Sequence, residues 1–337
     1  MQSSATKRVP MQSSATRRVS MQSSATRVAF LSRHERFQSA PSTNDIVRTW
    51  LAEGTAEVCV AVTDEQTAGR GRSGRAWVAP SGAALLLSLG FRPSYLAPDR
   101  AWRLSAVVAL AMIDAAEDLA GLPIGMLKLK WPNDIVVEAP DGGLRKVAGI
   151  LGESEGAGTA DPLAVIGIGT NVDWPRAQFP PELADSMTSL REASRGQPVS
   201  AEGLLEAFLS HLEPRVLGLR DGHFDVAGWH DRQITTGRVV RIDMPDGSSE
   251  VVKAVGVDGA TGALLVADER EPAGAAEREL LAGEVVHVRM DADGPAPAAA
   301  AGEAPLGAGC RGRGSGGAGC RGRGSGGAGS RVEGVTN

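Results

Sequence analysis

Apolar residues change their spacing several times along this chain, and each change marks an element. Ile46, Val47, Trp50 and Leu51 recur at helical spacing behind Ser42-Thr43-Asn44-Asp45 and stop at Gly54. That predicts a short amphipathic helix with Ser42 and Asp45 as a capping box. Val58, Val60 and Val62 keep the period of a strand, and residues 83–91 form a continuous apolar run of the buried-strand type. Residues 100–119 are Ala-rich with helical apolar spacing, which predicts a long helix. Leu127, Leu129 and Trp131 then alternate with Lys128 and Lys130 in a strand that Pro132 ends. Residues 135–137, 147–151 and 163–168 read as further strands, and 204–219 as a helix closing the unit. Beyond Gly237 short strands are broken by Asp246-Gly247, Asp258-Gly259 and Thr261-Gly262. Such turn chemistry predicts a small β-barrel of about 55 residues. The fold class expected is α+β with an all-β module behind it.

The two ends obey neither pattern. MQSSAT opens three successive ten-residue repeats, and GAGCRGRGSG occurs twice from Gly307, after Pro295 and Pro297 among alanines. Neither end has enough apolar surface to fold, so both read as solvated tails. They also skew the charge. The chain has 35 basic and 40 acidic residues, but residues 1–30 carry five bases and no acid, and 305–337 carry five Arg and one Glu. The body between them therefore holds 25 bases against 39 acids. That balance excludes the broad basic footprint of a nucleic-acid-binding domain, and the Arg-Gly tail lacks the aromatics that stack on bases. The leader's basic, acid-free bias is that of a transit peptide, yet no amphipathic stripe accompanies it. Three Cys, two of them in the tail, make no disulfide framework and suit a reducing, cytoplasmic compartment. No apolar run reaches a membrane span. The five His residues, 34, 211, 223, 230 and 287, show no metal-ligand spacing.

Four segments carry candidate chemistry. Gly69, Gly71 and Gly74 satisfy G-x-G-x-x-G, but Trp77-Val78-Ala79-Pro80 follows where a dinucleotide fold needs a helix start. The glycines instead permit an anion nest, and Arg70, Arg72 and Arg75 add forked donors for phosphate or carboxylate. Lys130-Trp131-Pro132-Asn133-Asp134 places two polar residues behind a strand-ending proline, an arrangement also common in plain turns. Lys146 enters an otherwise apolar strand. In Gly167-Ile168-Gly169-Thr170-Asn171 the glycines let a ligand approach the backbone, and Asn171 offers donor and acceptor.

In this order the segments resemble the biotin–protein ligases, also called biotin–[acetyl-CoA-carboxylase] ligases. The sequence supplies STN at 42–44, QTAGRGRSGRAW at 66–77, KWPNDI at 130–135, KVAGIL at 146–151, GIGTNV at 167–172 and AGEVVHVR at 282–289. The resemblance implies a catalytic domain like that of class II aminoacyl-tRNA synthetases at 37–232 and an SH3-like barrel at 235–291. A disordered leader at 1–36 and a Gly/Arg-rich tail at 292–337 flank them. It implies that biotin and ATP give biotinyl-5′-AMP, which acylates a lysine on the biotin carboxyl carrier domain of a carboxylase.

By the same resemblance Ser42, Thr43, Asn44, Gln66, Arg70, Gly71, Arg72 and Lys146 bind biotin. Arg70, Arg72, Trp77, Lys130, Asn133, Asp134, Asn171 and Arg289 surround the nucleotide, and Arg72, Lys130 and Lys146 are catalytic. Mg²⁺ bridges the phosphates without a dedicated protein cage, so no metal ligands are assigned. The N-terminal DNA-binding helices of some relatives are not expected, nor is membrane attachment. A monomer or weak homodimer is. The alternative within the same fold is a lipoate or octanoate ligase or transferase, against which KWPND and the GRGR loop count.

Overall fold

The computed structural model describes residues 17–18, 30–268, 277–282 and 287–290. Among them eight strands make one sheet: β1 (Arg17–Arg18), β2 (Arg33–Ser39), β3 (Cys59–Thr63), β4 (Ala84–Phe91), β5 (Lys128–Lys130), β6 (Asp134–Glu138), β7 (Leu144–Glu155) and β8 (Leu163–Asn171). Their order is β1-β2-β3-β4-β8-β7-β6-β5. β2 and β3 run parallel, joined through helix α1 (Thr43–Ala52), and every other pairing is antiparallel. β2 takes in residues 33–36, which the sequence pattern assigned to the leader.

Strand alternation gives the sheet two unlike faces. Leu85, Leu87, Leu89, Ile150, Ile166 and Ile168 belong to the main apolar core, packed against α2 (Trp102–Leu119) and α4 (Ala201–Arg220). Ser88, Gly90, Gly149, Gly167 and Gly169 occupy the alternate positions facing α1 and the loop that follows β3. Close approach requires these glycines. A Cβ at Gly90 would stand 2.6 Å from Cys59 Sγ and 2.7 Å from Val47 Cγ1 of α1.

The expected helices and strands are present, with α2 starting at Trp102 and the short helices α3 (Leu190–Ala193) and α5 (Val226–Asp231) added. The expected capping box does not form. Ser42 sits at the N-cap of α1 but makes no side-chain capping bond. Asp45 turns to Arg48 and Arg70 instead, while Gln66 Oε1 accepts the Thr43 N–H at 2.8 Å.

A buried ion pair fixes the other end of the sheet. Glu117, 3% exposed, meets Arg232 at 2.7 Å and also accepts the N–H groups of Gly125 and Leu127. Arg232 begins a segment that runs along β5: its carbonyl accepts Leu129 N–H, Leu129 O accepts Ile234 N–H, and Thr235 Oγ1 accepts Trp131 N–H.

A second sheet of strands β9 (Val239–Asp243), β10 (Ser249–Val257), β11 (Leu264–Asp268), β12 (Arg278–Leu280) and β13 (His287–Met290) is ordered β12-β11-β10-β9-β13, all antiparallel. Its turn at 258–262 docks on the first sheet's periphery. Ala260 O, Gly259 O and Gly262 O accept from Trp102 Nε1, Arg103 Nη2 and Trp131 Nε1. Val240, Val252 and Leu264 continue the same core, and the described residues form one compact unit.

Breaking one side of a buried pair costs about 3–5 kcal/mol. Glu117→Ala is therefore expected to lower the unfolding free energy by about that much in urea titrations. A loss under about 1 kcal/mol would mean that Arg232 and the two N–H groups find other partners.

Candidate active site

The site lies on the glycine face. Thr63, Leu86, Gly169, Gly149, Asp134 and Lys130 stand side by side in register across β3, β4, β8, β7, β6 and β5. One step along the strands, Ser88 pairs with Gly167, and Gly167 with Leu151. Three neighbouring floor positions thus lack side chains. Trp77 lies over two of them: a Cβ at Gly169 would come 2.6 Å from its Cε2, and one at Gly149 3.1 Å from its Cζ3.

Polar groups close the floor on the α1 side. Ser42, Thr43 and Asn44 are all buried. Ser88 Oγ lies 2.7 Å from Thr43 Oγ1 and 2.6 Å from Asn44 Oδ1. Asn44 Nδ2 donates to Glu153 Oε2 at 3.0 Å. The amide lies so close above Gly167 that an added Cβ would meet Asn44 Oδ1 at 2.2 Å. Gln66 faces Thr43 from the far side.

Cations close the opposite side. Lys146 Nζ pairs with Asp134 Oδ1 at 2.6 Å and lies 5.3 Å from the centre of the Trp77 ring. Plain alternation would send Lys146 to the face opposite Gly149. A β-bulge opposite Ile135/Val136 intervenes, and Val147 and Ala148 both enter the main core. The extra residue returns Lys146 to the site face. Lys130 and Asp134 are cross-strand neighbours in a hairpin whose turn is Trp131-Pro132-Asn133. Arg72, Lys130, Asn133 and Asp134 line, with Trp102 and Ser105 of α2, a cavity of about 210 Å³ at the β5–β6 edge that adjoins the glycine floor without including its three glycines. Burial pushes the Arg72 guanidinium down from its ordinary value, and Asp134 opposes that fall.

The loop arginines separate. Arg70 is held at the rim by both oxygens of Asp45, at 2.8 and 2.7 Å, with Glu153 Oε1 at 3.5 Å. The bond from Arg70 holds the Asp45 carboxyl below the usual carboxylate range, and Asp45 raises Arg70 in turn. Arg72 donates to Ala282 O of the second sheet. Gly71 N–H bonds Arg75 O at 2.7 Å, and no helix follows the loop, so the dinucleotide reading stays excluded.

Asn133 and Asn171 each commit Nδ2 to a carbonyl, of Ile150 at 2.8 Å and Thr188 at 2.9 Å. Arg289 lies opposite Arg241 in the second sheet, and its side chain falls outside the described residues. Burial pushes the Cys59 thiol up to about 11, which removes it as a nucleophile. Sequence reasoning missed Ser88 and Glu153. A single Ser inside the run of residues 83–91 was the available signal for the first.

A floor of glycines, short polar groups at one end and cations at the other suit a small molecule with neutral polar groups at one end and negative charge at the other. Residues 36–171 match the biotin/lipoate A/B protein ligase family. The chain is 32% identical to the biotin–[acetyl-CoA-carboxylase] ligase of Mycobacterium tuberculosis over 75% of its own length and 87% of that protein's. It is 33% identical to the bifunctional ligase/repressor BirA of Bacillus spizizenii over 55% of its own length and 54% of that protein's. The fold matches the biotin protein ligase of Aquifex aeolicus in complex with biotin and ATP, with a TM-score of 0.61 and 25% identity over 77% of this chain and 99% of that one. The chain belongs to the biotin–protein ligases of this family.

Asp45→Asn is expected to speed tryptic cleavage after Arg70, Arg72 and Arg75 severalfold at neutral pH. Because the folded-state pKa of Asp45 is depressed, the latch persists from neutral into mildly acidic solution. It is lost only as pH falls below the ordinary carboxylate range, where hydrogen exchange of residues 69–75 is expected to rise. Equal cleavage of parent and variant would show that Arg70 does not restrain the loop.

Proposed function

We propose that this chain is a biotin–[acetyl-CoA-carboxylase] ligase. It joins biotin to ATP as biotinyl-5′-AMP and passes the biotinyl group to a specific lysine of a biotin carboxyl carrier domain. The observation that carries the reading is the side-chain-free floor of Gly149, Gly167 and Gly169 between Thr43–Asn44–Gln66 and the Lys146–Asp134 pair. The three glycines make room for Trp77 and Asn44; the bicyclic ring packs against those side chains, its ureido edge meets the short polar groups, and the valeryl carboxylate reaches Lys146.

A carboxylate oxygen of biotin attacks the α-phosphorus of ATP, the bond to the bridging oxygen breaks, and pyrophosphate leaves. Two anions must meet, so catalysis is mainly alignment and charge neutralisation. Lys146 holds the carboxylate, and Asp134 keeps the ammonium aimed. Lys130 and Arg72 offset charge on the phosphates. Trp77 packs beside the nucleoside, and Asn133 and Asn171 offer their Oδ1 acceptors, since each Nδ2 is committed to a carbonyl. The acceptor lysine then attacks the acyl carbon as a neutral amine, AMP leaves, and an amide results. No nucleophile from this chain enters either step.

Mg²⁺ bound with ATP would supply further charge neutralisation, and Asp134 is the carboxylate that would help to hold it. Among the described residues no group of three or more His, Cys, Asp or Glu is arranged to hold a metal. The proposal extends to a class II aminoacyl-tRNA-synthetase-like catalytic domain at 37–232, an SH3-like barrel at 235–291 and Arg289 as a nucleotide contact. It also includes a monomer or weak homodimer acting in the cytoplasm. No described helix is long and apolar enough to cross a membrane.

The matching family model spans lipoate ligases as well, so the deciding test offers both acids. With ATP and Mg²⁺, mass spectrometry is expected to find biotinyl-AMP from biotin and no lipoyl-AMP from lipoate. The converse result overturns the reading. Lys146→Ala is expected to slow pyrophosphate release by about 10²-fold or more, and single-turnover transfer from supplied biotinyl-AMP much less. Equal losses in both steps would remove Lys146 from the first reaction. Arg72→Gly is expected to leave folding intact and to weaken retention of the adenylate about tenfold or more. Labelling of bystander lysines measures the escape.

A further inference from the structure

We propose that Glu153 is a positioning residue that fixes which end of the Asn44 amide faces biotin. The proposal rests on the functional reading above and assigns a role to a residue outside the resembling motifs. Glu153 lies on β7, two positions beyond Leu151 on the site face. Arg48 and Arg70 flank its carboxylate, Arg48 at Oε2 and Arg70 at Oε1. Guanidinium groups have no acceptor, so both oxygens accept, and the atom that faces Oε2 from Asn44 must be a donor. That atom is Nδ2, at 3.0 Å.

The consequences run inward along one chain of hydrogen bonds. With Nδ2 turned to Glu153, Oδ1 faces Ser88 Oγ at 2.6 Å and has no proton to give, so the Ser88 hydroxyl donates to it. Ser88 has one proton. The single Thr43 proton then has two acceptors, Ser88 Oγ at 2.7 Å and Gln66 Oε1 at 3.2 Å, and the shorter contact to Ser88 takes it. The remaining Oδ1 lone pair lies over Gly167, where an added Cβ would touch it at 2.2 Å. That oxygen is the acceptor assigned to a ureido N–H, at the edge of the floor where it packs on Gly167. Were the amide reversed, a donor would meet that N–H.

Glu153→Gln keeps the shape but offers a donor and an acceptor, so the amide is no longer held one way. The expected result is an increase in the KM for biotin of about tenfold, the effect of one hydrogen bond worth about 1.4 kcal/mol. The KM for ATP and the melting temperature are expected to stay unchanged. Ser88→Ala releases the other end of the amide and is expected to raise the biotin KM in the same way.

The decisive measurement is a double-mutant cycle. In an Asn44→Ala background, Glu153→Gln is expected to change the biotin KM by less than about twofold, because its effect travels through Asn44. A full tenfold loss in that background would place the effect in the Arg70 restraint or in the fold, and would overturn the assignment. An unchanged biotin KM in the single variant, with a parent that makes biotinyl-AMP, would overturn it alone. A parent that makes no biotinyl-AMP would remove the functional reading and this assignment together.

Discussion

An antiparallel sheet cannot be thick on both faces and still admit a ligand to its backbone, and that steric constraint organises this molecule. Its central strands resolve the conflict by alternation. Odd positions of β4, Leu85, Leu87 and Leu89, are each about 2% exposed or less. A fully buried side chain of that kind contributes about 1.5–3 kcal/mol, whereas a glycine in a strand costs about 0.5–1 kcal/mol against alanine. The aliphatic face therefore outweighs the cost of emptying the other, and the sheet stays stable with a bare lane across β7 and β8. Everything at the site is measured from that lane: Asn44 lies against it at Gly167, and Trp77 lies over it at Gly149 and Gly169.

The lane seats Trp77 and Asn44, and those side chains alone would pack against any flat apolar group. Charge makes it selective, and local irregularity places the charge. Regular pairing would bury Lys146 in the core beside α2. One extra residue at Val147 and Ala148 returns it to the site, where Asp134 waits across the strand. Arg72, whose guanidinium burial disfavours, sits in the same cavity as Lys130 and Asp134. A cation that water hydrates poorly gains more from an anionic ligand than a solvated one does. The exposed latch between Arg70 and Asp45, with side chains 39% and 46% exposed, is by contrast a weak, screened contact suited to opening.

Much of this was legible in the sequence because it follows from period and from motif. The apolar runs located α1, α2, α4, β3 to β8 and the strands from β9 to β11, whereas β1 and most of β2 lie in the stretch that read as a leader. The resemblance named Thr43, Asn44, Gln66 and Lys146, which do converge. The misses share a physical cause: each depends on a partner distant in sequence. Asp45 looked like half of a capping box because Ser42 stands three residues before it, but Arg70 competes for the carboxylate with two charge-assisted bonds. Glu153 sits in a polar stretch after an apolar run and looks like ordinary surface until Asn44 arrives from residue 44. Lys146 enters an otherwise apolar strand, and it reaches the site through a bulge that no periodicity announces.

The hairpin of Lys130, Trp131, Asn133 and Asp134 shows the same division between what touches a ligand and what holds the toucher still. Lys130 and Asp134 face the site, yet the residues between them are bonded away from it. Trp131 gives its indole N–H to Gly262 of the second sheet and its backbone N–H to Thr235. Asn133 exchanges bonds with Ile150, its side chain donating to the carbonyl and its own carbonyl accepting the amide. The strand leading into the hairpin is anchored by the Glu117–Arg232 pair. The second sheet also accepts a bond from Arg72 at Ala282. The C-terminal module therefore touches both segments that carry these cations, the loop of Arg72 and the hairpin of Lys130. A displacement of that module would alter the spacing between Arg72 and Lys130, on which the charge neutralisation proposed for two approaching anions depends.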